Sequence, residues 1–178
     1  MNPMPQKILV VEPEPEIVEI LVASLSRRVH ARITCVADAQ ACLDSELLEP
    51  HDLIITELEL GDSDGLRLAR ELMSLGSRPI ILLADNATCS ETIEAMRLGI
   101  RDVFRKPFPV DELLDSVDRL VRAQVETRRR AARYHRMREL VRHVVRERRS
   151  LNRRVELVCR DLVGAHRRLV RRVTGTQG

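Results

Sequence analysis

Five short aliphatic runs, KILVV (7–11), ARITCVA (31–37), DLIIT (52–56), PIILLA (79–84) and DVFR (102–105), alternate with four segments whose apolar residues recur every three or four positions. Short runs of Ile, Val and Leu predict strands buried on both faces, and the intervening periodicity predicts helices that cover them. The alternation predicts an α/β fold, a doubly wound, five-stranded parallel sheet. Asp38 stands where it could cap the second helix, Thr88 and Glu91 have capping-box spacing, Gly99 sits where a left-handed C-terminal residue belongs, and Pro109 suits the first turn of a fifth helix. In open sheets of this kind, chemistry gathers beyond the carboxyl ends of the strands. Those ends read Glu12, Glu57, Ala84 and Lys106.

From Val110 onward there is no strand signal and no proline, so the fifth helix is expected to continue as a long α-helix. Its apolar residues fall into heptads. Val141, Val155, Leu162 and Leu169 take a positions, and Val144, Leu151, Val158 and Ala165 take d positions, with Met137 before them and Arg148 as the one break at a. The preponderance of β-branched residues and leucine predicts a coiled coil, with a parallel homodimer as the expected form. Leu157, Cys159, Val163 and Val170 lie off this seam and offer a second face to a partner protein. The expected divisions are residues 1–122, 123–174 and a flexible tail at 175–178.

Composition sharpens this division. Residues 1–110 hold 18 acids against 11 basic groups, and residues 111–178 hold 9 acids against 19 arginines, so a net charge of +3 conceals parts of about −7 and +10. Aromatics make up only 2% of the chain, which leaves few rings for stacking on bases or sugars. Cys35, Cys42, Cys89 and Cys159 lack CxxC spacing, and the five histidines lack paired ligand spacing. Buried free thiols and satisfied or surface histidines are therefore expected, with no metal and no cofactor. No cationic leader precedes a long apolar stretch and no run reaches the length of a membrane span, so a soluble, cytoplasmic protein without membrane contact is expected.

The order of elements and the residues at the strand ends resemble the receiver domain of bacterial two-component response regulators over residues 7 to about 122. The carriers are ILVVEPEPEI, HDLIITELELGDSDGL, PIILLA and DVFRKPF, in that order. The resemblance implies a flavodoxin-like sheet of order 2-1-3-4-5 and phosphoryl transfer from a histidine kinase to an aspartate ending the third strand. Glu57 stands at that position. The family's pair of acids after the first strand, which helps bind Mg²⁺, corresponds to Glu12 and Pro13, so one oxygen ligand is missing. Ala84 replaces the hydroxyl residue that would hydrogen-bond the phosphoryl group, and Val103 replaces the switch aromatic, with Phe104 beside it on the opposite face. Lys106 is retained, and the resemblance makes Pro107 a candidate for a cis peptide bond.

These four departures point to a pseudo-receiver that has lost phosphotransfer. Glutamate is longer than aspartate by one carbon, so Glu57 reads as a fixed, partial phosphomimic with Lys106 as counter-ion. The other acids nearby, Glu59, Asp62 and Asp64, read with Glu12 and Glu57 as solvated loop acids around one salt bridge, since a hydrolytic site would also need an oriented nucleophile or a metal. The arginine-rich helix reads as a solvated coiled-coil surface. Nonspecific nucleic-acid contact stays open, but is not favoured without aromatics or a helix-turn-helix pattern. The expected function is that of a non-enzymatic signalling adaptor acting by contacts with an unidentified protein partner and by dimerisation. The alternatives are a phosphorylatable response regulator and a nonspecific nucleic-acid binder.

Overall fold

The structure is a computed structural model that describes residues 6–61, 63–76 and 78–174, with side chains at 167 and 169–174 excluded. Asp62, the side chain of Leu169 in the expected seam, and the expected tail at 175–178 lie outside the described residues. Strands β1 (Gln6–Val11), β2 (Ala31–Val36), β3 (Leu53–Glu57), β4 (Ile80–Ala84) and β5 (Asp102–Arg105) alternate with α1 (Pro15–Arg28), α2 (Ala39–Leu48), α3 (Gly65–Leu75), α4 (Cys89–Leu98) and α5 (Val110–Thr174). The sheet is wholly parallel, in the order β2-β1-β3-β4-β5.

Alternation along each strand separates two cores. Leu9, Val11, Ile54, Ile80 and Leu82 pack with Leu66, Leu68, Leu72 and Ala95 from α3 and α4, and with Cys42 from α2. Ile8, Val10, Ile55, Ile81 and Leu83 pack on the other face with Leu21 and Leu25 from α1 and Leu113, Val117 and Val121 from α5. Every residue of β3 and β4 is buried, whereas edge strands β2 and β5 are only partly covered. This explains why the central strands read as unbroken apolar runs: with helices on both faces, neither side of the strand meets water.

The local stops and starts have identifiable causes. Asp38 accepts from the Ala41 amide at 2.7 Å, Thr88 and Glu91 form a reciprocal capping box, and Gly99 closes α4 at φ 83°. The chain divides into two compact units, residues 1–128 and 129–178. The first includes Arg128, which pairs with Asp52 at the amino end of β3. In the second unit, Met137, Val141, Val144, Leu151, Val155, Val158 and Leu162 are all exposed. The cysteine expectation needs correction: only Cys42 is buried, whereas Cys35, Cys89 and Cys159 are exposed. Apolar surroundings push the Cys42 thiol up to about 12, with the charges of Glu46 and Asp38 adding to the effect. Among the described residues, no helix is long and apolar enough to cross a membrane.

Candidate functional site

Parallel pairing brings the carboxyl ends of the strands side by side. Glu57 is in register with Leu83, and the Lys106 amide donates to the Ala84 carbonyl at 2.8 Å. Four turns leaving neighbouring strands therefore place Glu12, Glu57, Ala84 and Lys106 around one point. The Lys106 ammonium donates to Glu12 Oε2 at 3.0 Å and forms an ion pair with Glu57 Oε2. The remaining carboxylate oxygens face backbone donors: Glu57 Oε1 accepts from the Leu58 amide at 2.8 Å, and Glu12 Oε1 accepts from the Glu14 amide at 3.2 Å.

Burial corrects one expectation. Glu12 and Glu57 are only 2% and 4% exposed, so they are not solvated loop acids. Glu59 and Asp64 are exposed, bridge each other across the β3–α3 loop, and serve the backbone there, Asp64 capping α3 through the Leu66 amide at 2.9 Å. The site thus holds two buried carboxylates and one ammonium. Burial raises the Glu57 carboxyl above its usual range, and the Glu12 charge adds to this, together outweighing the Lys106 and Leu58 contacts. Burial works to lower the Lys106 ammonium, but hydrogen bonds and charges from Glu57 and Glu12 outweigh it and the net shift is upward.

Gly65 explains how this loop holds Glu57. A Cβ at Gly65 would lie 2.3 Å from the Glu57 carbonyl oxygen and 3.0 Å from Leu58 Cα, and its amide donates to the Leu58 carbonyl at 2.8 Å. The start of α3 can lie against the end of β3 only because no side chain intervenes.

Ala84 is fully buried and brings only a methyl group to the site, while Pro13 is exposed and has no side-chain oxygen. Val103 packs with the α3–α4 core and Phe104 with the α1–α5 core, where its ring meets Phe108 edge-on at 5.7 Å. The Lys106–Pro107 peptide bond is cis. An open apolar depression of about 430 Å³ lies beside Lys106, lined by Ile17, Ile20, Phe108 and Val110. The Mg²⁺ implied by the receiver resemblance does not fit this donor set, because the oxygens of Glu12 and Glu57 already face Lys106 and two backbone amides, and Pro13 supplies none.

A second buried polar group lies near the other end of the sheet, where no motif had drawn attention. Glu46 and His51 are 3% and 2% exposed, with Glu46 Oε1 2.5 Å from His51 Nδ1 and Glu46 Oε2 2.8 Å from Arg78. His51 Nε2 approaches Thr34 Oγ1 at 3.3 Å, and Asp52 accepts from the Lys7 amide at 2.9 Å while pairing with Arg128. The only sequence signal for it was a Glu on a helix and a His and Asp before a strand, far apart in the chain from Arg78.

The family model for the response regulator receiver domain matches residues 8–118. The chain belongs to the response regulator receiver family. Its relatives include the response regulator ArlR of Staphylococcus aureus, 30% identical over 118 residues covering 66% of this chain and 53% of that protein. The transcriptional regulatory protein FlgR of Helicobacter pylori is 40% identical over 82 residues, 46% of this chain and 20% of that protein. This receiver chain thus spans about half the length of ArlR, or less for FlgR. The BeF3-activated receiver domain of Klebsiella pneumoniae RstA superposes with a TM-score of 0.61 at 25% identity, covering 66% of this chain and 99% of that one. The receiver domain of a LuxO repressor protein from Vibrio parahaemolyticus gives 0.66 at 17% identity, with 70% and 95% covered, and supports the fold alone.

Proposed function

We propose that this receiver-family protein signals without being phosphorylated, through protein contacts and self-association of its C-terminal helix. The observation that carries the reading is the closed Glu12–Lys106–Glu57 cluster: the retained lysine is already neutralised from within the chain by the glutamate at the acceptor position. Glu57 acts as a permanent, partial stand-in for a phosphorylated acceptor, one carboxylate charge in place of a phosphoryl group's nearly two. With Ala84 and Val103 at the hydroxyl and aromatic positions, the usual coupling between acceptor and surface has no parts to work with. The apolar depression beside Lys106 and the exposed seam from Val141 to Leu162 supply surfaces for protein partners.

Incubation with Mg²⁺ and acetyl phosphate tests this directly. Intact mass is expected to show no phosphoryl adduct, and Glu57→Asp alone is expected to restore none, since the ligand at Pro13 and hydroxyl at Ala84 are still missing. Stoichiometric labelling of the unaltered chain refutes the proposal and favours a phosphorylatable response regulator, the reading its relatives' names support. The arginine-rich helix supports a third reading, nonspecific nucleic-acid binding; on the favoured reading DNA binding is weak, indifferent to sequence and lost as salt rises.

A further inference from the structure

We infer that the C-terminal helix pairs antiparallel with a second copy of itself, in a register centred on the Arg149–Ser150 peptide bond. The inference rests on the proposed coiled-coil association and adds its orientation. The seam residues from Tyr134 to Leu162 are exposed on one continuous helix, and Arg148 interrupts them at an a position.

A parallel, in-register pair places Arg148 against its own copy in the seam. It also sets g positions beside the partner's e positions, so that Glu147 faces Asn152, Arg154 faces Cys159 and Arg133 faces Arg138. None of the g–e pairs there joins an acid to an arginine.

Reversing one helix changes the pairing rule: a packs against d, and g lies beside g. In the register centred at 149–150, Arg148 packs against the partner's Leu151, Val144 against the partner's Val155, and the bulky Tyr134 against the partner's small Ala165. Glu147 then lies beside the partner's Arg154, and two-fold symmetry makes that ion pair twice. Both side chains lean toward their own N-termini, which in this register is toward each other. The cost is Arg133 beside the partner's Arg168 at the two ends, where the helices are most open to water and salt. Sliding by one heptad in one direction sets Glu147 beside the partner's Asp161 and Arg154 beside its own copy. Sliding in the other direction sets Glu147 beside its own copy; it brings Arg133 to the partner's Asp161 and Glu126 to the partner's Arg168, but it packs Leu162 against the partner's Arg130 and Ala165 against the partner's Thr127. The central ion pair favours this orientation, and the pairing of apolar residues at every seam position but Arg148 selects the register.

Charge reversal on the full-length chain tests the pairing. In sedimentation equilibrium at low salt, Glu147→Arg and Arg154→Glu are each expected to raise the dimer dissociation constant about tenfold (about 1.4 kcal/mol), and the double variant is expected to return close to the original value. A thiol cross-link reads orientation independently. With Cys159→Ser in both chains, a Val144→Cys chain mixed with a Val155→Cys chain is expected to give a 144–155 disulfide by peptide mass spectrometry, while Val144→Cys alone gives none at 144. A self-disulfide at 144, or single reversals without effect or without rescue in a dimer, overturns the orientation and leaves self-association standing. A full-length chain that stays monomeric at tens of micromolar overturns self-association and the orientation with it.

Discussion

Replacing Lys106 with methionine keeps most of the side-chain volume and removes the one cation that two buried carboxylates share. Lys106 touches Glu12 at 3.0 Å and pairs with Glu57, and the three side chains are 10%, 1% and 5% exposed, so water cannot take over the ammonium's role without opening the strand ends. Breaking a buried ion pair by deleting one partner costs about 3–5 kcal/mol, because the charge left behind is uncompensated. At pH 7.5 the variant is expected to lose about that much. The protein has no tryptophan and its one tyrosine, Tyr134, is outside the sheet unit, so neither tryptophan nor tyrosine emission would report on the sheet. Hydrogen exchange read on peptides from β1 and β3 measures opening of the sheet itself. The loss should shrink as pH falls toward the ordinary carboxyl value of 4.5, where protonation removes the unpaired charge in folded and unfolded chains alike. Adding Glu57→Gln to the methionine variant should recover part of the stability at pH 7.5. A methionine variant as stable as the original at pH 7.5, or a loss that does not change between pH 4.5 and 7.5, refutes the reasoning.

Three other outcomes follow from the same geometry. Glu57 has a raised folded-state carboxyl value, so its contribution is fully present below the unfolded value of 4.5 and is lost as pH rises through the folded one. Glu57→Gln should therefore gain stability relative to the original as pH increases from 4 to 7, measured by the same exchange experiment; a constant difference contradicts the burial argument. Gly65→Ala forces a methyl group onto the Glu57 carbonyl and should cost about 1–3 kcal/mol, because the atoms in its way are backbone and cannot turn aside. Its calorimetric transition for the sheet unit should fall, and an unchanged transition would show that the loop shifts freely. Val155→Lys with Leu162→Lys sets charges into the helix seam and should yield a monomer by light scattering with the sheet unit's exchange unchanged; a persisting dimer would place association on the receiver unit.

The α/β alternation was legible in the sequence because a parallel sheet covered on both faces demands uninterrupted aliphatic strands, and KILVV, DLIIT and PIILLA meet that demand locally. Caps at Asp38, Thr88 and Gly99 were legible for the same reason: each satisfies backbone groups within a few residues of itself. The strand order and the identity of the site positions came from the likeness to receiver domains, carried by four short stretches. Those stretches could say that Glu12, Glu57 and Lys106 belong together, but not that the two acids are buried and divide a single ammonium, since burial depends on every element packed around the strand ends. The Glu46–His51–Arg78 group was invisible for the same reason: its members come from α2, the turn before β3 and the segment before β4, and only the fold brings them within reach of one another. The heptads from Val141 onward are legible because they depend on helix periodicity alone. Orientation and register are not fixed by that periodicity, because they depend on which side chains meet across two helices.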